Sequence, residues 1–97
     1  MEKAAKVKDL KEKLCVTVKG NSLALFKIKG KIYCTDSKCS HASGPLCEGK
    51  LDKTTVTCPW HGSEFDVTNG KVKHGPAVNG IKSYNIKVKG GDIWVDI

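Results

Sequence analysis

The stretch TCPWHGSEFD, Thr57 to Asp66, places a cysteine and a histidine three positions apart, with a proline and a tryptophan between them. Thiolates and imidazoles are the side chains that bind zinc and iron–sulfur centres. A second pair, Cys39-Ser40-His41, comes earlier in the chain, and sixteen residues lie between His41 and Cys58. Each pair offers one thiolate and one imidazole, so the sequence predicts a metal site that is held by two separate loops.

The mixed composition of the two pairs indicates which kind of metal site this is. A structural zinc site commonly takes its cysteines from one close pair and its histidines from another. Mixed pairs suit two loops that hold two metal atoms between them. If each loop offers its cysteine to one iron and its histidine to the other, the result is the ligation of a Rieske [2Fe–2S] centre.

Three segments resemble the Rieske family. CSHASG (residues 39–44) and CPWHGSEFD (residues 58–66) resemble the two cluster loops of the family, and GPA (residues 75–77) resembles the proline loop that covers a third side of the cluster. The resemblance is strongest over residues 31–77. It implies one [2Fe–2S] cluster per chain, with Cys39 and Cys58 on one iron and His41 and His61 on the other.

The residues around the four expected ligands have physical roles in this interpretation. Pro59 fixes φ in a tight turn, while Gly44 and Gly62 let backbone amides approach the cluster sulfurs. Ser63 either places a hydroxyl near a bridging sulfide or merely fits a turn. Trp60 is expected to cover its loop from outside, and Pro76 belongs to the proline loop.

The resemblance also indicates a reduction potential. High-potential family members carry one extra cysteine in each loop, joined as a disulfide, and a tyrosine hydroxyl near a cysteine ligand. Here Gly44 and Trp60 stand at the two cysteine positions, and Phe65 stands at the tyrosine position. Without those groups the reduced state is less stabilised. We therefore expect a potential toward the low end of the Rieske range of about −150 to +300 mV.

The remaining sequence predicts an all-β, antiparallel fold. Apolar residues alternate in strand-like runs, and Lys19-Gly20, Lys29-Gly30 and Gly90-Gly91 mark turns between them. Asn69-Gly70 predicts a two-residue type I′ hairpin. Residues 35–53 show almost no alternation and are expected to form a long functional loop. Before residue 13 we expect a turn-rich lead-in rather than a helix.

We expect a single Rieske-like domain over residues 1–97. A cluster-binding subdomain of about residues 35–77 would be inserted into a base domain formed by residues 1–34 and 78–97.

The charge of the chain limits its partners. All 17 basic residues are lysine, against 10 acidic residues, which gives a net charge of +7. Lysines at alternate strand positions are explained by solvated faces and protected sheet edges, and they also favour an acidic protein partner. Nucleic acid is not expected, because arginine is absent and aromatic residues are few.

The N-terminal residues and the cysteine count indicate the compartment. Residues 1–14 are charged throughout, so neither a secretory signal nor a membrane helix is expected, and the sequence predicts a cytoplasmic protein. Its five cysteines should then be reduced. Cys15 and Cys34 are expected in the core and Cys47 in an exposed loop; a Cys34–Cys47 disulfide remains open. His74 is expected to be solvated.

These observations together favour an electron carrier rather than an enzyme. The chain resembles a Rieske-type ferredoxin, a monomer that passes single electrons from a reductase to a terminal acceptor such as an oxygenase. Neither a flavin or nicotinamide motif nor a second metal site is recognisable. Two alternatives remain: a small Rieske subunit of a larger redox enzyme, and a zinc-stabilised interaction module.

Overall fold

The computed structural model describes residues 1–39, 44–60 and 62–97, and it confirms an all-β fold with antiparallel sheets. Eleven strands are found in these residues. They are β1 (Glu2–Lys6), β2 (Lys13–Val18), β3 (Asn21–Ile28), β4 (Lys31–Asp36), β5 (Lys50–Asp52), β6 (Thr55–Thr57), β7 (Glu64–Asp66), β8 (Val72–His74), β9 (Ser83–Tyr84), β10 (Ile86–Lys89) and β11 (Asp92–Val95). The same residues also contain two single 3-10 turns, Val7–Asp9 and Leu46–Glu48.

The strands form three sheets. One has the order β1-β11-β10, a second has the order β2-β3-β4-β9, and the third has the order β5-β6-β7-β8. The third sheet follows the chain order, so it is a simple meander of short strands. The loop between β6 and β7 and the loop after β4 carry the two Cys-His pairs, and these two loops therefore emerge from different sheets.

Two tight turns set the register of the second sheet. Lys19 and Gly20 both have positive φ, as do Lys29 and Gly30. Two successive residues with positive φ are what a two-residue hairpin of type I′ requires, because this turn matches the twist of the strands. The register Val18↔Asn21 confirms the first of these two-residue connections.

Strand β3 is buried on both faces and separates two apolar cores. Ala24 and Phe26 point to the core beneath the two Cys-His loops, while Leu23 and Leu25 point to the core shared with β11. Burial on both sides explains why Leu23 to Phe26 is a continuous apolar run rather than an alternating one. A fully buried side chain of this size contributes about 1.5–3 kcal/mol.

The predicted type I′ turn at Asn69-Gly70 is wrong. Backbone pairing of Asp66 with Lys71 leaves a four-residue connection, and Asn69 is not among the residues with positive φ. The side chain of Asp66 is the reason, because its Oδ1 accepts from both the amide (2.9 Å) and the hydroxyl (2.6 Å) of Thr68. This local capping organises a longer turn than the Asn-Gly dipeptide alone favours.

Two other expectations are corrected. The lead-in before residue 13 contains a strand, β1, which pairs with β11. The expected loop of residues 35–53 is partly regular: Thr35 and Asp36 belong to β4, Leu46–Glu48 forms a 3-10 turn, and Lys50–Asp52 pairs with β6. Alternation was hard to recognise there because these pieces are only two or three residues long. Within the described ranges, none of the helical segments has the length and apolar character needed to cross a bilayer.

Candidate metal centre

The two loops that carry the Cys-His pairs are closed in the same way. In the first, the amide of Cys39 donates to the carbonyl of Gly44 (2.9 Å), and in the second the amide of Cys58 donates to the carbonyl of Ser63 (2.7 Å). Each loop therefore begins at a cysteine and returns to it five residues later. Because the same backbone hydrogen bond closes both loops, the two cysteines have equivalent positions at the start of their loops.

The first loop is supported by a second layer of backbone bonds. The amide of Leu46 donates to the carbonyl of Ser37 (2.6 Å), and Lys38 forms an isolated bridge with Pro45. Together with the Cys39–Gly44 bond, these contacts pair residues 37–39 with residues 44–46 in a short stem at the base of the first loop. The second loop is supported by the pairing of β6 with β7.

The described structure brings together two of the four expected ligands. Cys39 and Cys58 are each 2% exposed and belong to the same apolar core, and neither is in a disulfide. Burial raises the pKa of the Cys58 thiol, and a hydrogen bond with the neighbouring Cys39 raises it further, whereas the amide of Trp60 opposes the shift. Two buried thiols side by side, with little to stabilise their charge except one amide, are a donor set that a bound cation would complete.

Gly44 is where the two loops touch. A Cβ added at this glycine would lie 2.7 Å from Sγ of Cys58, and 3.1 Å and 3.2 Å from Cγ and Cβ of Trp60. The end of the first loop thus packs directly on the start of the second, and only a residue without a side chain fits. This contact joins the two loops; the expected approach of the Gly44 amide to the cluster sulfurs stays a prediction.

The backbone of Trp60 contacts Cys58, whereas its side chain faces solvent. Its amide donates to Sγ of Cys58 at 3.4 Å, while its side chain is 51% exposed. The indole is thus largely exposed, and its role in covering the loop stays a prediction. Pro59 beside it is exposed as well.

A third segment, residues 75–77, closes against the second loop. A Cβ on Gly75 would lie 2.7 Å from Cα of Ser63, and Gly75 has a φ of 101°, so this position needs glycine for two reasons. The buried hydroxyl of Ser63 accepts a hydrogen bond from the amide of Ala77 (3.1 Å). Ser63 therefore fixes the segment that contains Pro76, which is itself exposed.

The other residues singled out from the sequence have clear positions. Gly62 has a φ of 77° with open space around it, so backbone conformation rather than close approach explains this glycine. Phe65 is fully buried in the core beneath the loops, and His74 is exposed at the end of β8. His41 and His61 lie outside the described residues, so their part in the ligand set stays a prediction.

Of the remaining cysteines, Cys34 is buried as expected, whereas the expectations for Cys15 and Cys47 were wrong. Cys15 is exposed rather than in the core, and Cys47 is buried rather than exposed. They form a disulfide with each other, so Cys34 is not the partner of Cys47, and the prediction that all thiols are reduced fails. The alternation of β2 could have indicated this, because it places Leu14 and Val16 toward the core and Cys15 on the opposite face.

Comparison with known proteins agrees with this geometry. The Rieske [2Fe-2S] domain family matches residues 1–85. The chain is 38% identical over 84 residues to the ferredoxin component of the naphthalene 1,2-dioxygenase system of Pseudomonas putida, covering 87% of this chain and 81% of that protein.

Two solved structures are similar over almost the whole chain. The ferredoxin of Sphingomonas yanoikuyae B1 has a TM-score of 0.93 at 28% identity, covering 98% of this chain and 96% of that one. A chain from a complex of reduced oxygenase and oxidized ferredoxin in carbazole 1,9a-dioxygenase has a TM-score of 0.89 at 28% identity, covering 97% and 99%.

The residues present fit a [2Fe–2S] cluster. Two equivalent loops from different sheets bring buried, unpaired thiols together, an amide points at one of the sulfurs, and a glycine-dependent third segment closes one side. The match of the family over residues 1–85 agrees with that donor set. This chain belongs to the Rieske [2Fe-2S] domain family and binds a [2Fe–2S] cluster.

Proposed function

We propose that this protein is a one-electron carrier that receives electrons from a reductase and delivers them to a terminal oxygenase. The observation that carries the proposal is the pair of buried free thiols, Cys39 and Cys58, at the roots of two equivalent loops. Its similarity to ferredoxin components of dioxygenase systems supports an electron carrier rather than an enzyme.

Within this proposal, Cys39 and Cys58 bind one iron, and His41 and His61 bind the other. When bound, the cluster takes up and releases one electron, and two thiolates with two neutral imidazoles leave its oxidised form without net charge. The chain holds the thiolates away from water, and the amide of Trp60 disperses negative charge on Cys58. That hydrogen bond stabilises the reduced form, in which more charge lies on sulfur.

The partner assignment rests on the relatives and on charge. A similar chain has been solved in a complex of oxygenase and ferredoxin. A net charge of +7 favours partners whose docking surfaces are acidic. We further propose that the protein acts as a monomer, with its cluster-binding subdomain over about residues 35–77 and its base domain over residues 1–34 and 78–97.

Metal analysis and spectroscopy test the proposal. Freshly purified protein should contain iron and acid-labile sulfide in equal amounts, at two of each per chain, and dithionite should produce the EPR spectrum of a reduced Rieske centre. Replacing His61 with Cys should give the spectrum of a cluster with an additional thiolate. Zinc without iron in fresh protein would instead support the interaction module.

Partner charge needs a separate kinetic test. Electron-transfer rates with the partner oxygenase should fall steeply as ionic strength rises, because screening weakens attraction between opposite charges. Rates that do not respond to salt would contradict acidic docking surfaces. Sedimentation of the purified holoprotein at a single protomer mass would support the monomer.

A further inference from the structure

Directly behind the first cluster loop lies a disulfide between Cys15 on β2 and Cys47 in the 3-10 turn Leu46–Glu48. The two Cα atoms are 5.2 Å apart and the two residues are 32 positions apart in the chain. We infer that this disulfide is a second redox centre of the protein, a thiol–disulfide exchange site whose co-reactant is a dithiol. It is separate from the cluster and transfers electrons in pairs.

One end of the disulfide is accessible and the other is not. Cys15 lies on the edge strand β2 and is exposed, whereas Cys47 is 6% exposed. An open depression is lined by both cysteines and by Thr17 and Pro45, among others. An incoming thiolate can therefore reach Sγ of Cys15, and the sulfur that leaves is that of Cys47.

Burial opposes a thiolate at Cys47, but one hydrogen bond favours its departure. The hydroxyl of Ser37 donates a hydrogen bond of 3.2 Å to Sγ of Cys47, in a buried position. Thiol–disulfide exchange proceeds faster when the leaving sulfur is better stabilised as a thiolate. Ser37 thus supports the negative charge that develops on Cys47 when the bond to Cys15 breaks.

The exchange balances with a dithiol as reductant. One thiolate of the dithiol attacks Sγ of Cys15, a mixed disulfide forms, and the Cys15–Cys47 bond breaks. The second thiolate of the dithiol then attacks its own mixed-disulfide sulfur, so that Cys15 leaves. Two electrons and two protons pass from the dithiol to Cys15 and Cys47, and the dithiol becomes a disulfide.

The other cysteines do not compete for this role. Cys34 is 1% exposed, and burial together with the charge of Asp36 raises its pKa to about 12, so it stays a thiol at neutral pH. Cys39 and Cys58 are the proposed cluster ligands. Cys15, the exposed residue of the disulfide, is therefore the point of attack that we assign.

The state of the disulfide is coupled to the first cluster loop. Ser37 contacts Cys47 through its hydroxyl, and its carbonyl accepts from the amide of Leu46 (2.6 Å) in the stem of that loop. Lys13, on the same strand as Cys15, donates to the carbonyl of Gly49 just beyond the turn. Opening the disulfide removes the covalent link between β2 and the 3-10 turn and leaves these hydrogen bonds, and it therefore loosens the stem that positions Cys39. This last step rests on the proposed ligation.

Counting thiols tests the exchange directly. Protein purified in air is unfolded in chelator and maleimide, so that every free thiol is labelled. We expect three labelled cysteines, five after prior treatment of the folded holoprotein with dithiothreitol, and a Cys15–Cys47 cross-linked peptide before treatment. Five thiols in the untreated protein, or a cross-link that dithiothreitol opens only after unfolding, would overturn the proposal.

Two serine variants test the mechanism of exchange. Ser37→Ala should slow opening by dithiothreitol about fivefold to tenfold, the loss expected when one hydrogen bond to the departing sulfur disappears. Ser22→Ala is the matched control, because Ser22 lines the same depression without a hydrogen bond to sulfur being found there. Equal rates in the wild type and Ser37→Ala would contradict the role of Ser37.

Loss of the cluster is followed in parallel by its visible absorbance. Pretreatment with dithiothreitol should accelerate loss of the cluster in chelator several-fold in the wild type. The double variant Cys15→Ser/Cys47→Ser should lose the cluster as fast as the dithiothreitol-treated wild type, whether or not it is treated with dithiothreitol. If no iron is found, the thiol counts still test the exchange site, so failure of the proposed function and failure of this inference are distinguishable.

Discussion

The phenolic hydroxyl of Tyr84 donates a hydrogen bond of 2.6 Å to a carboxylate oxygen of Asp36. Tyr84 lies on β9 and Asp36 is the last residue of β4, three positions before Cys39. The amide of Lys82 donates to the other oxygen of the same carboxylate (3.4 Å). The strand that leads into the first cluster loop is therefore fixed by residues that come late in the chain.

Replacing Tyr84 with Phe removes this bond and leaves the carboxylate with less support. We expect the free energy of unfolding to fall by about 1.5–3 kcal/mol, the usual contribution of a hydrogen bond to a charged group. Urea unfolding of the holoprotein measures it. Tyr33→Phe is the matched control, since no hydrogen bond of the Tyr33 hydroxyl is found in the described structure, and an equal loss in both variants would contradict the assignment.

Tyr84 should also ionise late. Partial burial raises its pKa to about 12, and the hydrogen bond to Asp36 adds to the shift. Because the folded pKa lies above the ordinary value of 10.0, the associated stability is complete below pH 10 and is lost as the pH rises toward about 12.

In an ultraviolet difference titration, the late ionisation assigned to Tyr84 should be present in the wild type and in Tyr33→Phe and lost in Tyr84→Phe. The difference in unfolding free energy between the wild type and Tyr84→Phe should shrink over the same pH interval. A difference that stays constant to pH 12 would contradict the linkage.

Gly44→Ala should disturb the contact between the two cluster loops. The new Cβ would lie 2.7 Å from Sγ of Cys58, so either Cys58 or the loop must move. We expect a cost of about 1–3 kcal/mol, as for other overpacked sites, and a lower iron content.

Gly20→Ala is the control, because its added Cβ meets open space and the cost is backbone strain at positive φ alone. This variant should lose stability by about 1 kcal/mol and keep its full iron content. Normal iron content in Gly44→Ala would show that the contact is not needed for the centre.

Cysteines at positions 44 and 60 should form a disulfide between the loops. A Cβ at position 44 would lie 3.2 Å from Cβ of Trp60, just below the spacing of about 3.5–4.5 Å found in disulfides. It would also lie 2.7 Å from Sγ of Cys58, so the end of the first loop must shift outward for the bond to form. The double variant Gly44→Cys/Trp60→Cys tests whether the absence of this disulfide lowers the reduction potential.

We expect its potential to rise relative to the wild type, as measured by protein-film voltammetry. Trp60→Ala controls for loss of the indole: it should keep the cluster but lose it faster in chelator. If Trp60→Ala and the cross-linked variant have the same potential, the absent disulfide does not set it.

Histidine ligation makes the potential depend on pH. Metal binding acidifies the remote N–H of a ligated imidazole, and an oxidised centre favours the deprotonated ring. The potential should therefore be flat near neutral pH and fall at alkaline pH, by up to about 59 mV per pH unit for each proton coupled to the electron. A flat profile into strongly alkaline solution would contradict His41 and His61 as ligands.

The sequence predicted those parts of the molecule in which neighbours in the chain are also neighbours in space. Alternation and Lys-Gly turns predicted the hairpins around β2, β3 and β4, because side-chain periodicity and positive φ are local properties. The two Cys-His pairs predicted the metal centre for the same reason: each loop carries its own ligand types. The predicted type I′ turn at Asn69-Gly70 was wrong because the side chain of Asp66, three residues before Asn69, organises a longer turn.

The tertiary structure alone decided which distant residues meet. Cys15 and Cys47 are 32 positions apart, and Asp36 and Tyr84 are 48 positions apart. Neither spacing has a periodic signature, since each contact depends on how whole strands are paired and which face each presents. By itself the sequence determined the fold class, the cofactor and the candidate ligands. Packing of three sheets determined how Cys39 and Cys58 are brought together and placed the Cys15–Cys47 disulfide next to the first cluster loop.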